Sequence, residues 1–169
     1  MKNNINIVLI GMPSAGKTTI GRCLEEKLGK RYIDMDDEII KHANMSIPEI
    51  FQKHKESGFR KMETCIAMKL SLQDNLIIAT GGGIIKFEDN ITSLKKKGVI
   101  IFIDRSLDQL IGYDPNRPLS SSKEAVKKLY EERYMLYNKY ADIIVKNDTT
   151  IDECVNEIIE KYNSYINNK

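Results

Sequence analysis

Short apolar runs alternate with helical spacing along the whole chain. Ile5–Ile10, Tyr32–Ile33, Leu76–Ala79, Val99–Ile103 and Ile143–Val145 have the length and β-branched content of buried strands. Between them, apolar residues recur at three- and four-residue intervals, as in Ile20, Leu24 and Leu28. Strands that alternate with helices predict a parallel sheet covered on both faces. The last helical segment places Ile151, Val155, Ile158, Ile159 and Tyr162 on one face, so it packs onto the sheet. Four helix starts carry a capping pattern: Ser46 with Glu49, Ser106 with Gln109, Ser121 with Glu124 and Thr150 with Glu153.

Two segments interrupt the alternation. Residues from about Glu38 to Leu72 read as two or three helices inserted between the second and third strands. Gly112 to Ser122 contains Gly, Asp-Pro-Asn, Arg-Pro and three serines, with almost nothing to bury. A mobile lid or a plain surface loop has that composition. Arg117 within it favours the lid. With no repeat and no low-complexity linker, the 169 residues are expected to form one domain, and Asn163 to Lys169 to fray.

Composition narrows the class further. The chain is 41% hydrophobic and 30% charged, with a net charge of +2, too small to argue for nucleic acid. No apolar stretch reaches membrane-spanning length, and the N-terminus enters a strand too soon for a signal peptide. Cys23, Cys65 and Cys154 are scattered, without metal-ligand spacing, and read as cytosolic thiols.

The chemistry starts at Gly11-Met12-Pro13-Ser14-Ala15-Gly16-Lys17-Thr18, followed by Thr19. The spacing G-x-x-x-x-G-K-[ST] between a strand and a helix describes a loop that cradles phosphates. Backbone N–H groups and the helix dipole face the anion, Lys17 reaches the β- and γ-phosphates, and the Thr18 hydroxyl can ligate Mg²⁺. Asp34-Met35-Asp36-Asp37 follows the second strand. Its first two carboxylates can hold Mg²⁺ and orient a hydroxyl, or the whole tetrad can be an acidic helix start. Gly81-Gly82-Gly83 follows the third strand, either as an anion-receiving turn or as a flexible one. Arg60 and Glu63 are three apart on one helix, as a surface pair or as an arginine steered toward a carboxylate. Arg133 falls on the apolar stripe of Val126, Leu129, Leu136 and Tyr137, where it needs an anionic partner or a route to water.

Taken in order, these residues resemble shikimate kinase over nearly the whole chain. The resemblance rests on Gly11–Thr18, Asp34-Met35-Asp36, Ser46-Ile47-Pro48-Glu49-Ile50-Phe51, Phe59-Arg60 with Glu63, Gly81–Gly83, Arg117-Pro118-Leu119, and Arg133 ahead of Leu136-Tyr137. It implies a nucleoside-monophosphate-kinase-like fold: a five-stranded parallel sheet flanked by helices, with a lid at about 112–122. It also implies ATP-dependent phosphorylation of the shikimate 3-hydroxyl, on the route to chorismate and aromatic amino acids. By the same resemblance residues 11–19 hold ATP, Thr18 and Asp34 attend Mg²⁺, and Asp36 binds the ring hydroxyls as base or orienter. Arg60, Arg133 and the backbone of Gly81–Gly83 grip the carboxylate, and Glu63 holds Arg60. Arg117 meets phosphate from the lid, and residues 35–72 form the shikimate-binding insertion. A cytoplasmic monomer, with neither nucleic-acid nor membrane partners, is expected.

The chain also departs from the family pattern. Lys55 stands before Glu56 where the family has Gly, Gly58 precedes Phe59, Asn44 stands where Gly is common, and Ser120 replaces a frequent Leu. Residues 107–112 lack the arginine often found beside adenine, and Asn147 and Asp148 lie where the family makes adenine contacts. A kinase for another small acid, such as gluconate, is the rival enzyme. A degenerate member that binds without turnover is the rival from another class, weakened by the retention of Lys17, Thr18, Asp34, Asp36, Arg60, Arg117 and Arg133.

Overall fold

A computed structural model describes residues 3–110 and 122–168. The apolar runs form five strands: β1 Asn6–Ile10, β2 Arg31–Asp34, β3 Leu76–Ala79, β4 Gly98–Asp104 and β5 Ile143–Lys146. They make one sheet in the order β2-β3-β1-β4-β5, with every neighbouring pair parallel. β1 is central and wholly buried, which is why it reads as continuous Ile, Val and Leu without alternation. The edge strand β5 does alternate, burying Ile143 and Val145 and exposing Ile144 and Lys146.

The helices are α1 Lys17–Leu28, α2 Met35–Ala43, α3 Ile47–Ser71, α4 Glu88–Lys95, α5 Leu107–Leu110, α6 Lys123–Tyr140 and α7 Ile151–Asn167. Strand order sets their sides. The β1–β2 crossover runs toward one sheet edge and the β2–β3, β3–β4 and β4–β5 crossovers run back. Right-handed connections therefore put α1 on one face and α3, α4 and α6 on the other. α7 returns to lie beside α1. Since β1 and β3 are neighbours whose following helices leave to opposite faces, their carboxyl ends open a crevice, the place where such sheets bind ligands.

Local chemistry explains most helix ends. Ser46 with Glu49 and Thr150 with Glu153 form reciprocal capping boxes. Two expected caps are corrected. The cap of α6 is Ser122, whose hydroxyl accepts from the Ala125 N–H, one residue after the expected Ser121. The Ser106–Gln109 box is not made. Ser106 donates its N–H to Asp148 Oδ1 and Gln109 donates to the Asp148 carbonyl, so the start of α5 is tied to the turn after β5 instead. Asn44 closes α2 at φ 51°, ψ 38°, a left-handed position that Asn tolerates.

The insertion between β2 and β3 is α2 plus α3, and α3 is broken at Lys55, which has φ 60° and ψ −177°. Only glycine occupies that region without strain, which elsewhere costs about 1–3 kcal/mol. Lys55 is exposed, so its side chain contributes little to the core. Lys55→Gly should therefore stabilise the protein. After the extra unfolded-state freedom of glycine, roughly 0.5–1 kcal/mol, a net gain of about 1 kcal/mol remains. Thermal unfolding should show Tm higher by about 2–4 °C; a lower Tm would show that the break is unstrained.

Candidate active site

The loop after β1 is built to receive an anion. Gly16, at φ 98°, starts α1 with no side-chain cap, and the first turn of α1 contains no acid. By contrast α2, α3, α6 and α7 each begin on a side-chain oxygen that accepts an N–H. The first-turn amides of α1 are thus left for a ligand that carries negative charge. Lys17 Nζ lies inside the loop and donates to the carbonyls of Gly11 and Met12, each at 2.7 Å. From outside, the Asn147 side chain donates to the Ala15 carbonyl at 2.8 Å, and Arg105 Nη1 to the Ser14 carbonyl at 3.1 Å. Asn147 is thereby a brace of the phosphate loop, and Asp148 a tie to Ser106.

β2 delivers the acidic pair, and the two carboxylates part. Asp34 Oδ1 caps α2 by accepting the Asp36 N–H at 2.9 Å. Its Oδ2 accepts the Thr18 hydroxyl at 3.3 Å and the Tyr32 hydroxyl at 3.2 Å. Asp36 turns the other way: a Cβ at Gly81 would stand 3.3 Å from Asp36 Oδ1 and 3.0 Å from Glu63 Oε2. Asp37 is exposed in the first turn of α2. Asp34 and Asp37 thus serve the helix start, as cap and first-turn acid, while Asp34 and Asp36 also stand in the wall of the cavity described below.

The two arginines are buried, at 6% exposure for Arg60 and 4% for Arg133. That disposes of an exposed surface pair for Arg60, and Arg133 borders the cavity described below instead of running out along the surface. Arg60 Nη1 donates to Glu63 Oε1 at 2.8 Å, and Glu63 is wholly buried. Burial pushes the Glu63 carboxyl above its ordinary range, while Arg60, and more weakly Arg133, pull it back. Gly83 lies against the Arg60 guanidinium so closely that any Cβ there would overlap it. Tyr137, wholly buried on α6, donates its hydroxyl to the Gly82 carbonyl at 2.5 Å and stands beside Arg133. Burial raises its pKa to about 12.

These parts line one cavity of about 280 Å³. Ser14, Gly16, Lys17, Thr18 and Thr19 of the loop after β1 line it together with Arg60, Gly81, Gly82, Gly83 and Arg133; Pro13 lies against Gly82, and Asp34 and Asp36 are also in the wall. Gly11, Met12 and Ala15 are buried beneath the loop, so only their backbone can serve a ligand. Arg117 and residues 112–121 of the expected lid lie outside the described residues. Sequence reasoning missed the apolar lining from Ile47, Phe51 and Phe59, whose helical spacing signals core and not cavity.

A cation is testable against this wall. Among the described residues no three of His, Cys, Asp and Glu converge on one point. One hydroxyl and one carboxylate, Thr18 and Asp34, do converge. That suits Mg²⁺, which takes few protein oxygens and completes its shell with phosphates and water.

A phosphate-loop motif and two buried arginines in one crevice of this sheet suit a P-loop kinase of a small anionic molecule. The chain belongs to the shikimate kinase family, and residues 13–163 match that family's model. It is 45% identical over 163 residues to a shikimate kinase of Clostridium beijerinckii, covering 95% of both chains. It superposes on shikimate kinase from Acinetobacter baumannii in complex with shikimate with a TM-score of 0.92, at 32% identity, over 97% of this chain and 96% of that one. A gluconokinase from Sinorhizobium meliloti, at 13% identity and TM-score 0.62, shares the fold alone. The activity is thus ATP-dependent phosphorylation of shikimate, in the pathway to chorismate.

Tyr137→Phe should leave the Gly82 carbonyl short of its donor and lower stability by about 1–3 kcal/mol. The sign with pH follows from the raised pKa. The neutral phenol's contribution is complete below the ordinary value of 10.0 and is lost as pH rises toward about 12. Thermal melts across that range should fall less steeply for the variant; parallel curves would contradict the assigned bond.

Proposed function

We propose that the chain transfers the γ-phosphoryl group of ATP to the 3-hydroxyl of shikimate through the residues that line this cavity. The observation that carries the assignment is the shared cavity itself, lined both by Lys17 with the first turn of α1 and by two buried arginines. Arg60 and Arg133 receive the carboxylate, with the backbone of Gly81–Gly83 closing that end. The planar guanidinium fork suits a carboxylate, and burial strengthens the attraction. Asp36 faces this end and orients the hydroxyl. The hydroxyl oxygen attacks the γ-phosphorus in line, its proton passes to Asp36, and the bond to the ADP oxygen breaks. The loop amides of residues 11–19 and Lys17 hold the phosphates and stabilise the charge on the transferring group. Thr18 and Asp34 would hold Mg²⁺, whose contribution is to neutralise charge on the phosphates.

Tyr32 is a support for that pair. Its hydroxyl on Asp34 Oδ2 fixes the carboxylate, as outer residues do for metal ligands. No helix among the described residues is long and apolar enough to cross a membrane, and the net charge of +2 offers nothing to nucleic acid. A cytoplasmic location is carried over from the shikimate kinase family.

ADP release with ATP and Mg²⁺ should be far faster with shikimate than with water, gluconate or nucleoside monophosphates; equal rates would sink the assignment. Lys17→Ala should cost roughly 3–4 kcal/mol of transition-state stabilisation, a hundredfold or more in kcat, with the fold intact. Asp36→Asn should lose most turnover and keep ATP binding, while Asp37→Asn should be mild. The reverse ranking would mean that the wrong carboxylate has been chosen. By calorimetry Arg133→Lys and Arg60→Lys should each bind shikimate more weakly and nucleotide nearly as before. Unchanged shikimate affinity in both would remove the arginines from the carboxylate site.

A further inference from the structure

Arg60 borders two cavities. One is the acid-binding end just described. The other, about 560 Å³, opens on the outer side of α3 and is lined by Glu56, Ser57, Lys61, Thr64, Lys86 and Phe87 besides Arg60 itself. A guanidinium placed between two open spaces needs fixing from both sides, since its long side chain has many rotamers. Glu63 fixes the inner side. On the outer side Glu56 Oε1 accepts from both Nε and Nη2 of Arg60, each at 3.3 Å.

That same oxygen also accepts from Lys86 Nζ at 2.8 Å. Lys86 ends the 3₁₀ turn Ile84–Lys86, which grows directly from the glycine triplet. The Ile84 N–H donates to the Gly81 carbonyl at 3.1 Å and the Lys86 N–H to the Gly83 carbonyl at 3.0 Å. Glu56 thus joins α3, which carries Arg60, to the turn that presses Gly83 against the same guanidinium. The Lys86 hydrogen bond holds the Glu56 carboxyl below its ordinary range, against the opposing effect of partial burial. The break at Lys55 immediately precedes Glu56, so the new helical run starts with this carboxylate four residues before Arg60.

Donor counting gives the arrangement a purpose. A guanidinium has five N–H donors. Glu63 takes one at Nη1, and Glu56 takes Nε and one at Nη2. One hydrogen remains on each terminal nitrogen, the number a bidentate carboxylate uses. With the Nε edge occupied, an incoming acid has only the terminal edge to meet.

We propose that Glu56, anchored by Lys86, is a positioning residue that aims Arg60 at the substrate carboxylate. The proposal rests on the assignment of Arg60 to the shikimate carboxylate. Glu56 is partly exposed, so the effect is modest.

The test measures shikimate Kd by calorimetry and steady-state kinetics in the full-length enzyme. Glu56→Gln should raise shikimate Kd and KM about fivefold, the upper end for a partly exposed pair. It should leave kcat, ATP affinity and Tm nearly unchanged. Lys86→Met should shift shikimate Kd in the same direction by less. The double variant should be no worse than Glu56→Gln alone, because Lys86 acts through Glu56. A wild-type shikimate Kd for Glu56→Gln overturns the proposal. So do equal losses of shikimate and ATP affinity, or additive losses in the double variant. Arg60→Lys run in parallel separates the two levels. If it binds shikimate normally, the carboxylate assignment falls; if it binds weakly while Glu56→Gln is normal, only the positioning role falls.

Discussion

The buried ion pair of Arg60 and Glu63 is the constraint around which the cavity wall beside Gly81–Gly83 is arranged. Removing one member of a buried pair costs about 3–5 kcal/mol, because the other charge is left without compensation. The pair therefore restricts everything it touches. A Cβ at position 83 would overlap the Arg60 guanidinium and one at position 81 would crowd the Glu63 carboxylate, so glycine at these positions answers to packing and not to backbone conformation. It ties the second half of α3 to the end of β3, and Arg133 and Tyr137 approach the same turn from α6. Three crossovers of the sheet thus meet at one charge cluster.

Topology does the remaining positioning. Parallel strands present all their carboxyl ends on one side, so the phosphate loop after β1, the acids after β2 and the glycines after β3 are neighbours without any long excursion of the chain. The acidic tetrad shows how finely this works. Asp34 and Asp36 lie on either side of the β2–α2 junction. There the switch from strand to helix sends one carboxylate toward Thr18 and the other toward Gly81.

Legibility in the sequence followed the range of each interaction. Strand positions were readable because buried parallel strands are continuous apolar runs, and two capping boxes because their bonds span three residues. Arg133 was readable as an oddity, a charge on an apolar stripe, but its burial could not be separated from a route to water until α6 was placed. Arg60 with Glu63 was visible from i,i+3 spacing; Glu56 with Lys86, thirty residues apart, was not. Asn147 reaches the Ala15 carbonyl from 132 residues away, and nothing local marks it. The α3 break was hidden because a lysine occupies a backbone conformation that glycine would have advertised.

The charges in the cavity wall have a final implication. Among the described residues Lys17, Arg60 and Arg133 share the wall with Asp34, Asp36 and Glu63, three of each sign. What selects is the separation of signs. Cations stand at both ends, and Asp36 turns toward the acid end, where an anion would meet two arginines and a hydroxyl would meet a carboxylate. A neutral polyol would offer the two guanidinium groups hydroxyl acceptors but no charge, and charge-assisted bonds are about twice as strong as neutral ones. Two buried cations at one place in the wall therefore favour an anionic group over a neutral one of the same shape.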